Sequence, residues 1–172
     1  MTRRKAFKRP DGRLDQGDVL SNVPFVRWKD GRAEEGAPTR GLVTSNGCAC
    51  EDYERALAPP GRSSAAARIM IQVAPLRPAS QFSERQIDEI RQGKQLDYFF
   101  VHGEGTFLAD QVADLTFEQP IPASILAACT KSTRLADWQW QRLLIHHTVS
   151  RFHQQPETLF LERVLVQAIR ET

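Results

Sequence analysis

Cysteine is scarce, with three in 172 residues, an odd number. That argues against a disulfide framework and suits a reducing compartment, so a cytoplasmic location is expected. Long apolar runs are missing too. None reaches the ~18–20 residues that a membrane-spanning helix needs. The start, Met1-Thr-Arg-Arg-Lys-Ala-Phe7, is basic without the apolar stretch of a secretory leader, so no membrane association is expected. Walker, Gly-x-Gly-x-x-Gly, Gly-x-Ser-x-Gly and His-Glu-x-x-His signatures are all absent. ATP, dinucleotide and zinc-peptidase chemistry are therefore not expected. What remains is the composition of an ordinary globular domain, 41% hydrophobic and 26% charged, with room for an appendage.

The near-neutral total charge hides an asymmetry. Residues 1–13 hold Arg3, Arg4, Lys5, Lys8, Arg9 and Arg13 against Asp11 alone, a net +5 in a chain whose total is +2, which leaves the rest at −3. A basic arm over residues 1–15 on a mildly acidic body suits contact with phosphate backbones, and equally a solvated terminus.

The first half of the chain punctuates like β-structure. Residues 18–28 are apolar-rich with a bend at Pro24, 29–39 have loop chemistry, and 40–45 read as a buried strand closed by an Asn46-Gly47 turn. A flexible loop is expected over 57–66, then a strand over 67–74 ended by Pro75. Ser83 caps a short helix carrying Ile87 and Ile90 on one face, stopped by Gly93. Strands are expected at 96–101 and 106–109 about a Gly103-Glu-Gly105 turn, with another extended piece at 114–118. Beyond Pro122 the pattern turns helical. A brief turn at 123–129 precedes a helix over 134–153 capped by Ser132 or Thr133, and Pro156 opens a last helix. The expected class is α+β: a small β-barrel over 16–121 and a helical extension over 122–172, packed on the barrel or on a partner.

Few residues carry an obvious chemistry. Cys48-Ala-Cys50 has one intervening residue where structural zinc pairs have two to four, and His146-His147 diverge by about 100° on a helix, so no metal or other cofactor is expected. Small buried thiols and packed imidazoles are the ordinary reading. His102, before the Gly-Glu-Gly turn, is placed at a rim. Trp138 and Trp140 fall on the helical core stripe. Arg40, at the head of a buried strand, can hold a guanidinium against a phosphate without a metal. Metal-free RNA cleavage needs a base, a cation and a hydrogen-bond donor. The competing reading of Arg40 is an exposed ion pair with Glu34 or Glu35.

Gln16-Gly-Asp-Val-Leu20, Arg40-Gly-Leu-Val-Thr-Ser-Asn46, Ile71-Gln-Val-Ala-Pro75 and Phe107-Leu-Ala-Asp-Gln-Val-Ala-Asp-Leu115 occur in that order, with a Gly/Glu loop after the first. Over residues 16–121 the set resembles the PemK/MazF family of toxin endoribonucleases. The resemblance implies an SH3-like barrel, often a homodimer, that cleaves single-stranded RNA without a metal and is restrained by a protein antitoxin. It implies that Gly17-Asp18 opens the first strand and that Arg40 acts in catalysis. The family's Ser or Thr after the central Ala-Pro is missing, since this chain reads Ala74-Pro75-Leu76-Arg77-Pro78. Arg77 is then the electrostatic stand-in, and Thr44, Ser45 or His102 the donor or base.

Three functions follow as expectations. The first is a nucleic-acid-binding PemK/MazF-like barrel with toxin-type endoribonuclease activity. The second is an inactive barrel serving as an adaptor for a protein partner in a defence or mobile-element system. The third is a metal- or thiol-dependent enzyme centred on Cys48 and Cys50. The missing hydroxyl favours the second over catalysis, and the Arg40 strand favours the first over the third.

Overall fold

The computed structural model describes residues 5–8, 12–57, 68–104 and 108–153. In chain order the elements are β1 (Phe7–Lys8), β2 (Asp18–Val23), β3 (Val26–Lys29), β4 (Arg32–Glu35), β5 (Thr39–Val43), α1 (Gly47–Leu57), β6 (Met70–Pro78), α2 (Glu84–Arg91), β7 (Tyr98–Val101), β8 (Gln111–Asp114), β9 (Gln119–Pro122), α3 (Ala123–Leu126), β10 (Thr130–Leu135) and α4 (Asp137–His153). The fold is mixed α+β with a mostly antiparallel sheet. The chain divides into two compact units: Arg9–Leu76 with Phe117–Arg134, and Met1–Lys8 with Arg77–Thr116 and Leu135–Thr172.

In the first unit the strands run β10-β2-β5-β6, and β9 lies on β6. The registers are antiparallel throughout: Arg134↔Asp18, Val19↔Leu42, Gly41↔Pro75 and Ile71↔Ile121. A closed barrel was the expectation, but among the described residues no sheet closes on itself. The edge chemistry of β9 gives a reason. Pro120 and Pro122 carry no N–H and cannot extend a ladder. The β3–β4 hairpin pairs only within itself, Val26↔Glu35 to Lys29↔Arg32, as a separate two-stranded sheet. Leu20, Val23, Phe25, Val43, Ile71 and Val73 form the core beneath α1, which contributes Cys50, Tyr53 and Ala56.

In the second unit, β7 pairs with β8 from Tyr98↔Asp114 to Val101↔Gln111. Helix α2 packs Ile87 and Ile90 on Phe100 and Val112. Helix α4 and the residue before it hold the N-terminal segment by polar bonds: Trp138 Nε1 donates to Lys5 O at 2.8 Å, Gln139 Nε2 donates to Ala6 O at 2.6 Å, and Ala136 N donates to Ala6 O at 3.0 Å.

Several elements depart from the sequence expectation. Residues 29–39 are not a plain loop. Asp30 and Gly31 both have positive φ, 51° and 76°, the requirement of a two-residue type I′ hairpin turn. Asn46 opens a helix instead of closing a hairpin: its Oδ1 accepts from Ala49 N at 3.1 Å, the N-cap arrangement. Strand β6 passes through Pro75 to Pro78. Thr44 N donates to Gln72 O, so by alternation Gly41↔Pro75 is a non-hydrogen-bonded pair and β5 needs no donor from Pro75. Of the strand expected at 106–109, Thr106 and Phe107 lie outside the described residues and Leu108 and Ala109 are not in a strand; a strand stands at Gln111–Asp114, and 115–117 is a 3₁₀ turn. Ser132 and Thr133 are strand residues of β10, and α4 begins at Asp137. The last helix expected from Pro156 lies outside the described residues.

Candidate nucleic-acid interface

Three of the segments that carry the family resemblance, distant in sequence, are adjacent strands. β2 holds Asp18, β5 holds Arg40 and β6 holds Ala74-Pro75, and Gly41 lies opposite both Leu20 and Pro75. A Cβ at Gly41 would come within 2.5 Å of Val73 Cγ1 and 3.1 Å of Phe25 Cζ, so the strand tolerates only glycine there without a shift. That close packing fixes the backbone beside Arg40.

Arg40 is exposed on β5, where the burial pattern passes from exposed at Arg40 to buried at Gly41–Val43. It has no ion-pair partner among the described residues, Glu34 included; the Glu35 side chain lies outside them. A rigid backbone with a guanidinium in water leaves its donor fork open to a phosphate.

Thr44 and Ser45 are buried at 1% and 7% exposure. Ser45 Oγ accepts from Gln72 N at 2.7 Å, and Thr44 Oγ1 bonds Glu118 Oε1 and lies 3.2 Å from Gln72 O. Gln16 Nε2 donates to Thr44 O at 3.0 Å. Both hydroxyls thus serve the seam between β5 and β6. Thr44 is also four residues along from Arg40, roughly 13 Å in an extended chain.

Beside them, Asp18 and Arg134 form a buried cross-strand ion pair. Arg134 Nε donates to Asp18 Oδ1 at 2.5 Å and Nη2 to Oδ2 at 3.1 Å, with Arg134 Nη2 also donating to Arg13 O at 2.8 Å. Asp18 Oδ2 accepts from Asp15 N at 2.8 Å. The pair satisfies most of its polar atoms, as burial demands. From the sequence, Asp18 is expected only to open a strand, and Arg134 to lie in a helix. No local signal joins residues so far apart.

Arg77 and His102 belong to the other unit. Arg77 Nη2 lies 2.8 Å from Oδ2 of Asp114, which is fully buried and whose Oδ1 accepts from Thr116 Oγ1 at 2.6 Å. The contact is an ion pair without hydrogen-bond alignment at Oδ2. Arg77 therefore neutralises a core carboxylate. His102 is half-buried between Phe100 and Trp138, at ring distances of 4.7 and 5.3 Å. Burial, then the Arg142 charge, lower its pKa, while Asp110 opposes. His146 is buried against Phe99 with Nε2 3.0 Å from Leu96 O, and burial lowers its pKa to about 4.

The basic arm is partly described. Arg3, Arg4 and Arg9 lie outside the described residues. Lys5 is exposed, Lys8 pairs with Asp137 at 2.7 Å, and Arg13 lines a cleft of about 680 Å³ with Leu14, Asp15, Cys50, Glu51 and Glu54. Cys48 is exposed on α1, while the Cys50 thiol is buried and pushed up to about 12 by desolvation, then by Asp15 and Asp18. A thiol so shifted stays protonated and unreactive at neutral pH. Among the described residues no group of three His, Cys, Asp or Glu side chains could hold a metal ion. Nor is any described helix long and apolar enough to cross a membrane.

Compared with known proteins, the chain matches no family model and no curated protein.

Proposed function

We propose that this chain binds single-stranded RNA, as a diverged PemK/MazF-like protein with an opened SH3-like sheet, and that Arg40 on β5 holds the phosphodiester backbone. One observation carries the reading: Arg40 stands exposed and without an ion-pair partner among the described residues, on a strand fixed between β2 and β6. The adjacency of the strands bearing Gly17-Asp18, Arg40 and Ala74-Pro75 supports the family relationship. Binding rather than cleavage is the reading, because the candidate donors are engaged elsewhere. Thr44 and Ser45 bond across the β5–β6 seam, Leu76 replaces the family's hydroxyl, and Arg77 neutralises Asp114.

The test is incubation of purified protein with labelled single-stranded RNA in EDTA. The expected result is a retarded, intact RNA, with the affinity lowered about tenfold in Arg40→Ala, the effect of one charge-assisted contact of ~1.5 kcal/mol. Cleavage by the native chain and not by Arg40→Ala would replace this reading with toxin-type ribonuclease activity. No RNA binding by either would leave the adaptor function in its place.

A further inference from the structure

A second basic cluster lies in the unit that holds α2, β7, β8 and α4. Arg91 ends α2, His102 follows β7, and Arg142 lies on α4 one turn beyond Trp138. The Arg91 guanidinium stacks over the Phe100 ring at 4.4 Å. His102 meets the same ring edge-on and has Trp138 on its other side. Arg142 Nη2 donates to Arg91 O at 3.1 Å, so the two arginines belong to one neighbourhood.

The charges there do not balance. Asp110 is the carboxylate at the cluster, and it is already engaged: Oδ2 lies 3.2 Å from Arg91 Nη2, and Oδ1 accepts from Gly103 N at 2.7 Å. Asp88 lies 3.9 Å from Arg91 on its far, exposed side. Arg142 has no carboxylate among the described residues, and its Nε is buried without a hydrogen-bond partner. A half-desolvated guanidinium in that state is costly unless an acceptor reaches it. Two guanidiniums and an imidazole, edged by the half-buried Trp138, make a surface complementary to an oxyanion carried on a flat ring. The backbone under it is tightly set. A Cβ at Gly103 would come within 2.3 Å of Leu108 O, so the turn that presents His102 is fixed against 108–110.

We propose that Arg91, His102 and Arg142 form a binding site for a phosphoryl group joined to a nucleobase, with the half-buried Trp138 stacking on the base side and the buried Phe100 holding Arg91 and His102 in place. The site takes either a free mononucleotide or the phosphorylated end of an oligonucleotide. It does not depend on Arg40.

The histidine ring resonances of the full-length protein test this by NMR. His102 faces Arg91, Arg142 and Asp110 together with the two rings, and His146, buried against Leu96 O, reports in the same spectrum that α4 stays docked. Adenosine 5′-monophosphate is expected to shift the His102 resonance and to raise its titration midpoint by roughly half a unit, as a nearby anion does. Adenosine should do neither. Inorganic phosphate should act more weakly, for want of stacking. A 5′-phosphorylated oligonucleotide that binds more tightly than the monophosphate marks a strand end as the source, and the reverse order marks a free nucleotide. Arg142→Gln is expected to weaken binding roughly tenfold. Should that variant lose the His146 signature, Arg91→Gln replaces it with the same expectation. An unmoved His102 at millimolar monophosphate, or equal binding by the native chain and a folded variant, overturns the proposal.

Discussion

Strand β2 has an arginine on each neighbouring strand, and the two have opposite fates. On β10, Arg134 is 5% exposed and clasps Asp18 directly across the ladder. On β5, Arg40 is exposed and has no ion-pair partner among the described residues. A guanidinium taken out of water must bring its carboxylate with it. One left in water keeps its donors for a ligand. In the other unit the buried member is the carboxylate: the half-exposed Arg77 reaches the fully buried Asp114 and is committed to it all the same. What a candidate side chain already holds, not its residue type, decides whether it is open to a ligand.

The buried side of the comparison breaks most visibly. Arg134→Met leaves Asp18 charged and unpaired in the core and is expected to cost about 3–5 kcal/mol, read by urea denaturation. Replacing both partners by apolar residues should recover much of that loss. A single-variant cost near zero would show that the pair is solvated after all.

A buried basic group whose ring bonds a backbone carbonyl, His146 with Leu96 O, sharpens the rule from another direction. His146 has its pKa lowered from 6.5 to about 4, chiefly by burial. The folded state therefore binds fewer protons than the unfolded state between those values. Its contribution to stability is fully present above about 6.5 and is lost as pH falls toward 4. His146→Phe should flatten that part of the stability–pH curve. A curve of unchanged slope in the variant would contradict the assignment.

Gly41→Ala probes the seam beneath Arg40. With a Cβ at 2.5 Å from Val73 Cγ1, an expected loss of about 1–3 kcal/mol measures how rigidly β5 is held. Arg40→Ala completes the series with the smallest effect on stability, within ~0.5 kcal/mol, as for an exposed residue that anchors nothing.

Local signals in the sequence were legible where a short-range rule decides. The Ser83 helix formed as read: Ser83 Oγ accepts from Gln86 N, Ile87 and Ile90 are buried, and Gly93 takes a positive φ of 66°. Strand β5 also formed where Arg40–Ser45 suggested, because a buried apolar run with β-branched residues has few alternatives. The failures came where one residue supports two geometries. Asn46 is a turn former and an N-cap, and helix α1 settled the choice. Ser132 and Thr133 are caps by type, yet the antiparallel partner supplied by β2 drew them into a strand. Asp30-Gly31 carried a hairpin signal that the surrounding charges obscured. Of the candidate residues, Arg40 has its exposed place near the head of β5 legible in the sequence. The roles of Thr44, Ser45 and Arg77 were not, because their partners Gln72, Glu118 and Asp114 are remote in sequence.

The most direct test of the central claim is the salt dependence of single-stranded RNA binding, compared between the native chain and Arg40→Ala at matched stability. One lost phosphate contact predicts a shallower plot of log affinity against log salt, its slope reduced by about 0.7, along with weaker binding at every salt concentration. Superimposable curves for the two proteins would contradict the account.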